Sequence, residues 1–322
     1  MLQNQRIYLW DNLKVILMIM VVLTHCIVPY QLQGDRWVQF LWIFIMTFTM
    51  PLFTLISGYF YKERTINFSI YRYLYPCIMF SILNIFIGVA SGAYPNGIPL
   101  KVGYAMWYLW VLFIYNIVTP VLLKFFDEKK LLVIAFVIAF ICGFKCVSNN
   151  FFDIPRIMSF YLFFVLGIVL KKNNLQFEPR LGLFCMVICV FIYILLTMKV
   201  NGFPYGTGFM GCHGMHMNGF VFRWVNYILT ILMSLSLIAI MPNKKYYFSC
   251  FGTRTMNVYL LHMAFVFPLC WFLLKPYMNS LLGYALNIIV IPTLVCAFLF
   301  SEFVDRKMQI ILSMPRKMLQ VK

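Results

Sequence analysis

His25 and Lys14 stand eleven residues apart in the first apolar stretch of the chain. At about 100° per residue, eleven steps of an α-helix return to nearly the same azimuth, so the two side chains share one face roughly 16 Å apart along the axis. They can line one cavity. An imidazole that titrates near neutrality is the commonest general base, and an ammonium is a compact cation suited to anionic oxygens. Asp11 lies one turn before Lys14 and can hold it in an ion pair at the start of the stretch. A second imidazole, His262, falls in the ninth apolar stretch. Ionisable groups at such depth are costly against lipid and by default mark a substrate or proton pathway inside a bundle. The spacing describes a catalytic pore with His25 as its candidate base.

The elements that must position these groups follow from composition. The 322-residue chain is 63% hydrophobic and 11% charged, with a mean hydropathy of +0.87, which excludes a soluble domain with a polar skin. Apolar runs of about twenty residues predict ten spans near 10–29, 38–60, 74–91, 104–124, 131–147, 156–171, 181–199, 220–241, 255–274 and 281–301, the fifth and sixth having the least distinct ends. The expected fold is all-α, a polytopic membrane helix bundle of about ten transmembrane helices forming a single domain over 1–322. The first span has no small-residue cleavage site near its end and reads as retained rather than as a signal peptide. With the amino terminus cytoplasmic, eighteen basic residues fall on cytoplasmic segments and seven outside (Arg36, Lys101, Lys145, Arg156, Lys199, Arg223, Lys275), Lys14 being within a span. This bias places both termini in the cytoplasm. The net charge of +17 then reflects topology and contact with anionic lipid heads, and no nucleic-acid partner is expected. Most of the ten cysteines sit singly in apolar spans and read as packing residues.

Asp11-Asn12-Leu13-Lys14 followed by His25, and Pro51-Leu52-Phe53 leading to Ser57-Gly58-Tyr59-Phe60, resemble the amino-terminal signature of membrane acyltransferase family 3. The likeness is nearest to the subgroup of fucose 4-O-acetylases and related sugar O-acetyltransferases. Arg72 four residues before Pro76, then Met106-Trp107-Tyr108-Leu109 and Tyr259-Leu260-Leu261-His262, extend it in the expected order. Two positions depart from the pattern. Lys14 stands where most of the family has arginine, so a point charge replaces a planar two-pronged donor. Ser69 precedes Arg72 where a second basic residue is expected.

The resemblance implies a multi-pass protein of the bacterial cytoplasmic membrane. It would move an acyl group, usually acetyl from cytoplasmic acetyl-CoA, to a hydroxyl of a surface polysaccharide or its lipid-linked oligosaccharide precursor. On that reading His25 and His262 are catalytic, Lys14 and Arg72 meet the CoA phosphates with Asp11 holding Lys14, and Trp107, Tyr108 and Tyr259 border the substrate. The partners are the sugar acceptor and membrane lipid. No metal is expected. Residues 201–219 do place Cys212, His213 and His216 within five positions, ligand types that suit copper or zinc. A closed structural site wants four ligands, however, and a loop rich in glycine and aromatics suits folding over a glycan.

Counting from span centres sets His262 roughly 4 Å toward the cytoplasm and His25 roughly 7 Å toward the outside. Imidazoles at two depths fit two schemes: His262 binds or activates the thioester while His25 activates the acceptor, or one histidine carries the acyl group covalently. Ser57-Gly58 reads as a close-packing site that admits a neighbouring helix. Trp107 and Tyr108 also read as pore lining. A carboxylate dyad within the membrane is excluded, because of nine acidic residues only Asp11 falls within a span. Two other classes stay open. A secondary transporter or flippase for an envelope glycan precursor suits ten spans but lacks mid-membrane carboxylates and a visible inverted repeat. A non-catalytic organiser of an envelope assembly would use the histidines as interhelical glue.

Overall fold

The computed structural model describes residues 6–32, 35–92, 105–143, 152–174, 177–199, 217–277 and 280–320. The stretch holding Cys212, His213 and His216 lies outside them. Eleven helices are numbered here in chain order: α1 (Tyr8–Leu32), α2 (Arg36–Tyr59), α3 (Ile66–Ala90), α4 (Trp107–Phe125), α5 (Glu128–Ile141), α6 (Ile154–Lys172), α7 (Pro179–Lys199), α8 (Met217–Ile240), α9 (Thr255–Leu273), α10 (Leu281–Leu299) and α11 (Glu302–Gln320). Among the described residues the regular elements are all helical, and nine helices are long and apolar enough to cross a membrane.

Three of them widen into π-helical turns, at Ile70–Leu74 in α3, Phe267–Leu273 in α9 and Leu286–Val290 in α10. Each turn contains or closely precedes a proline, namely Pro76, Pro268 or Pro292. Proline has no N–H to close the usual bond to the carbonyl four residues back, and a shift to wider hydrogen bonding accommodates that gap.

The fifth expected span is corrected. Helix α5 has 14 residues, about 21 Å of rise against a hydrocarbon thickness of about 30 Å. Near its end, the Ala139 carbonyl has a partner from another helix. Arg223 of α8 donates to Ala139 O through Nε at 3.0 Å and Nη2 at 2.7 Å, and through Nη2 to Ser159 Oγ of α6 at 2.8 Å. A cation at the carboxyl end of a helix satisfies an open acceptor and complements the helix dipole. Arg223 is 1% exposed, so it is a buried capping group and not the external loop charge read from the sequence.

Several contacts gather one end of the bundle. The Trp10 ring lies 4.3 Å from that of Tyr59, the Lys171 ammonium sits 5.9 Å from the same tyrosine ring, Lys172 pairs with Glu128 at 2.8 Å, and Leu9 N donates to Asn243 Oδ1 at 3.2 Å. The starts of α1 and α5 and the ends of α2, α6 and α8 therefore share one face, the basic end. Helices α2 and α6 run parallel and touch through glycine. A Cβ on Gly58 would lie 1.9 Å from Phe164 O, and one on Gly167 would lie 2.1 Å from Leu55 O. Each virtual Cβ points toward its helix amino terminus and meets the residue three before the opposing glycine, as a parallel crossing requires. Gly58 is thus the close-packing residue expected of it.

Beyond the last expected span, α11 is an amphipathic helix. Val304 and Met308 are buried, and Phe303, Ile310 and Met314 face outward. Its first turn is tied to α9: Arg254 pairs with Glu302 at 3.1 Å, and Asn257 donates to Asp305 at 2.8 Å.

Candidate active site

The site begins at the foot of α1. Asp11 is buried and pairs with Lys14 Nζ at 2.8 Å, one turn on, as the spacing anticipates. It also accepts Arg6 Nε at 2.6 Å. Arg6 escaped the sequence reading as a site residue because five residues is not a same-face helical spacing. Arg72 is exposed on the π turn of α3, which packs on α4 and α11. Among the described residues, Asp11 is paired with Arg6 and Lys14 and not with Arg72.

The neighbouring Asn12 fixes the level of α9. Its Nδ2 donates to Pro242 O at 3.2 Å and Lys244 O at 3.0 Å, and its Oδ1 accepts from Ser249 Oγ at 2.6 Å. Gly252, in the 3-10 segment Tyr247–Thr253, packs so tightly that a Cβ there would lie 2.5 Å from Asp11 Cβ. Asp11 and Gly252 are therefore level. His25 is about 21 Å further along α1, and His262, ten residues beyond Gly252, is about 15 Å along α9.

That remainder is within the reach of tilt and side-chain length, and the imidazoles meet, with ring centroids 5.1 Å apart and planes at 40°. The expectation of two separate depths is corrected. Counting from span centres presumes that every span is centred on one plane, whereas Asn12 and Gly252 draw the start of α9 down to the first turn of α1.

Hydrogen bonding sets the His262 tautomer. Nδ1 lies 3.1 Å from Val258 O and 2.9 Å from Tyr259 O, and carbonyls only accept, so Nδ1 carries the proton. In the neutral ring the lone pair is then on Nε2, which is buried and makes no hydrogen bond among the described residues.

From His262 the site continues through aromatic residues. The Tyr259 ring is 6.2 Å from the imidazole, its hydroxyl donates to Ala105 O, and the Tyr108 ring stands 5.8 Å away, edge to face. Tyr108 OH donates to Phe53 O at 2.9 Å and lies 2.8 Å from Ser57 Oγ. His25, His262, Tyr259, Tyr108 and Ser57 thus form one contiguous row from α1 through α9 and α4 to α2. Trp107 is buried beside it with its ring covered by Phe160, centroids 5.2 Å apart, and by the Arg156 guanidinium at 4.8 Å. Asp153 holds Arg156 at 2.6 Å. Trp107 is a wall of the site.

Helices long and apolar enough to span a membrane converge on two touching imidazoles, with an ion-paired cation at the foot of the same helix, the make-up of a polytopic membrane protein with a buried polar site. Residues 7–302 match the family model for the acyltransferase domain of acyltransferase family 3, and the chain belongs to that family as a membrane acyltransferase. The comparisons with curated proteins and with solved structures return no match.

Proposed function

We propose that the protein transfers an acyl group, foremost acetyl, from acyl-CoA to a hydroxyl of a surface or lipid-linked sugar, with the basic end and both termini in the cytoplasm. The observation that carries this reading is the imidazole pair, in which the backbone holds His262 with Nε2 as its basic nitrogen. The excess of basic residues at the α1 end supports the orientation. It also puts Lys14 and Arg6 where CoA phosphates arrive. Asp11 keeps Lys14 upright on the face that leads to His25, and Arg72 adds a cation at the same end.

In the step itself the acceptor oxygen bonds to the thioester carbonyl carbon while His262 Nε2, in place of the His25 imidazole expected from the sequence, takes the hydroxyl proton. The tetrahedral intermediate then collapses, the C–S bond breaks, and the imidazolium returns the proton to the thiolate to give free CoA thiol and an O-acyl ester. His25, in ring contact with His262, orients the acceptor and shares the proton; Tyr108 and Tyr259 border the sugar. General-base assistance of this kind is worth about 10²–10⁴-fold in rate.

The test is the alkali-labile acetyl signal in proton NMR of purified surface polysaccharide from wild-type, deletion, His25→Ala and His262→Ala strains at equal protein level. Loss of the signal in the deletion and both variants is the expected result. A signal unchanged in the deletion removes acetyl as the group. Movement of a glycan precursor across the membrane without ester formation replaces this reading with transport.

A further inference from the structure

Helix α3 carries a polar and small-residue face that the reaction above does not use. Cys77, Ser81, Asn84, Gly88 and Ser91 recur at intervals of four and three residues, which keeps them on one side of the helix. Cys77, Asn84, Gly88 and Ser91 are all buried. The face packs against α9, the helix of His262.

Two contacts fix the register of that packing. At one end the Cys77 thiol donates to Met106 O, and the adjoining Ala105 carbonyl takes the Tyr259 hydroxyl, so Cys77 and Tyr259 are level. At the other end Ser91 and Gly92 line an open cleft with Trp271, Phe272, Lys275 and Pro276. The same offset in residue number serves both ends, so α3 and α9 run side by side in the same direction. Ser81 then falls level with His262 and Asn84 one turn nearer the cleft.

Asn84 is 0% exposed, and neither its Oδ1 nor its Nδ2 has a hydrogen-bond partner among the described residues. A carboxamide with both halves unmatched at that depth destabilises a fold, and natural chains retain few such groups. His262 Nε2, about one turn below, is likewise without a partner among the described residues. The π-helical turn Phe267–Leu273 begins just past the level of Asn84, on the side toward the cleft, and widened turns of this kind recur at functional sites.

We propose that this face of α3 lines the route by which the hydroxyl-bearing acceptor travels from the cleft to His262, with the Asn84 carboxamide hydrogen-bonding acceptor hydroxyls on the way. A carboxamide donates and accepts together, as a hydroxyl does, so one side chain can match a polyol in either sense. The acceptor role rests on the acyl-transfer reading above; the polarity of the route does not.

The first measurement is steady-state acyl transfer by full-length protein in nanodiscs, comparing wild type with Asn84→Leu, which keeps the branched shape and heavy-atom count and is apolar, and with the smaller Asn84→Ala. The expected result is an acceptor KM raised at least tenfold in both, an acyl-CoA KM within twofold of wild type, and a melting temperature for Asn84→Leu equal to wild type or higher, since no hydrogen bond among the described residues is lost. A lowered melting temperature with unchanged acceptor KM marks a structural amide and overturns the proposal.

The second measurement places Asn84→Cys in a chain whose native cysteines are replaced. A negatively charged methanethiosulfonate is applied from the cleft side, with Ile82→Cys, on the exposed face of α3, as the lipid-facing control. Reaction at position 84 and none at 82 supports the route; no reaction at 84 overturns it. If wild type forms no ester on any hydroxyl acceptor while position 84 reacts, acyl transfer falls and the polar route stands.

Discussion

The crossing of α2 and α6 offers the sharpest quantitative test. Alanine at Gly58 puts a methyl carbon 1.9 Å from Phe164 O, and ordinary contact begins at 3.4 Å, so the helices must part by about 1.5 Å. Alanine at Gly167 meets Leu55 O at 2.1 Å and Tyr59 N at 2.6 Å. In both cases the opposing atoms are backbone and cannot rotate aside. Overpacking of this kind costs about 1–3 kcal/mol, and with two rigid backbones the upper end applies.

A displacement taken up by α2 also moves Phe53 and Ser57 from Tyr108 OH, stretching bonds of 2.9 and 2.8 Å past hydrogen-bond range and costing about 1 kcal/mol more. Gly58→Ala is therefore expected to lower the melting temperature in nanodiscs by about 5 °C or more and to weaken acyl transfer. Gly167→Ala should act the same way, and the double variant should cost less than the sum, because both changes open one crossing. Intrinsic-fluorescence melting and an acyl-transfer assay at matched protein level decide it. A Gly58→Ala protein with wild-type melting and wild-type activity would refute the parallel glycine crossing.

Lys14→Ala should raise the KM for acyl-CoA at least tenfold with the acceptor KM unchanged, and Lys14→Arg should restore most of the loss, because either cation answers Asp11 and a phosphate; steady-state kinetics in both substrates checks this. Arg223→Met removes both guanidinium donors from the Ala139 carbonyl near the end of α5, leaving it the Cys142 thiol, and should lower thermal stability by about 2 kcal/mol, with Arg223→Lys a poor rescue, since one ammonium cannot reproduce the fork that meets Ala139 O and Ser159 Oγ together; melting curves read the effect. Asp35 accepts from the Tyr284 hydroxyl and from the amides of Val38 and Trp37, which hold its carboxyl below the ordinary carboxylate range. Its contribution is therefore present above the unfolded carboxylate pKa of about 4 and is lost as pH falls through the lowered folded value. Asp35→Asn should lower the melting temperature at pH 7 and flatten its fall between about pH 5 and pH 3.

Much of the bundle was legible because apolar runs report membrane helices directly, and α1, α2 and α6 to α10 lie close to their expected spans. The Asp11–Lys14 ion pair was legible for the same reason that the shared face of Lys14 and His25 was: one uninterrupted helix carries all three. Contact between His25 and His262 was not legible, since it depends on Asn12 and Gly252 setting the level of α9, and polar loop contacts leave no periodic signal. Prolines accompany the π turns of α3, α9 and α10, but Pro29, Pro51 and Pro120 sit inside ordinary α-helix, so the residue type alone does not say where a π turn forms. Arg223 was misread because a basic residue near a span end looks like a topological charge whether it faces water or caps a helix. The amphipathic period of α11, with Val304, Met308, Ile311 and Leu312 on one side, was present in the sequence and masked by its charges.

The shortness of α5 has a consequence for the surrounding lipid. Val133, Val137 and Ile141 form an exposed stripe along it, and because its first turn is Glu128, Lys129 and Lys130 the apolar part is Leu131–Ile141, so acyl chains beside this helix meet about 16 Å of apolar surface where they meet full-length spans elsewhere. A bilayer with about 30 Å of hydrocarbon must dimple there, at an elastic cost that grows with each ångström of mismatch. The dimple draws the water boundary toward the level of Arg223 and Ser159, on the side of the bundle away from the foot of α1. The protein is thereby coupled to membrane thickness: shorter-chain lipids relieve the strain, and longer-chain or sterol-stiffened bilayers add to it. Lipid chain length thus becomes a physical variable of the enzyme alongside its substrates.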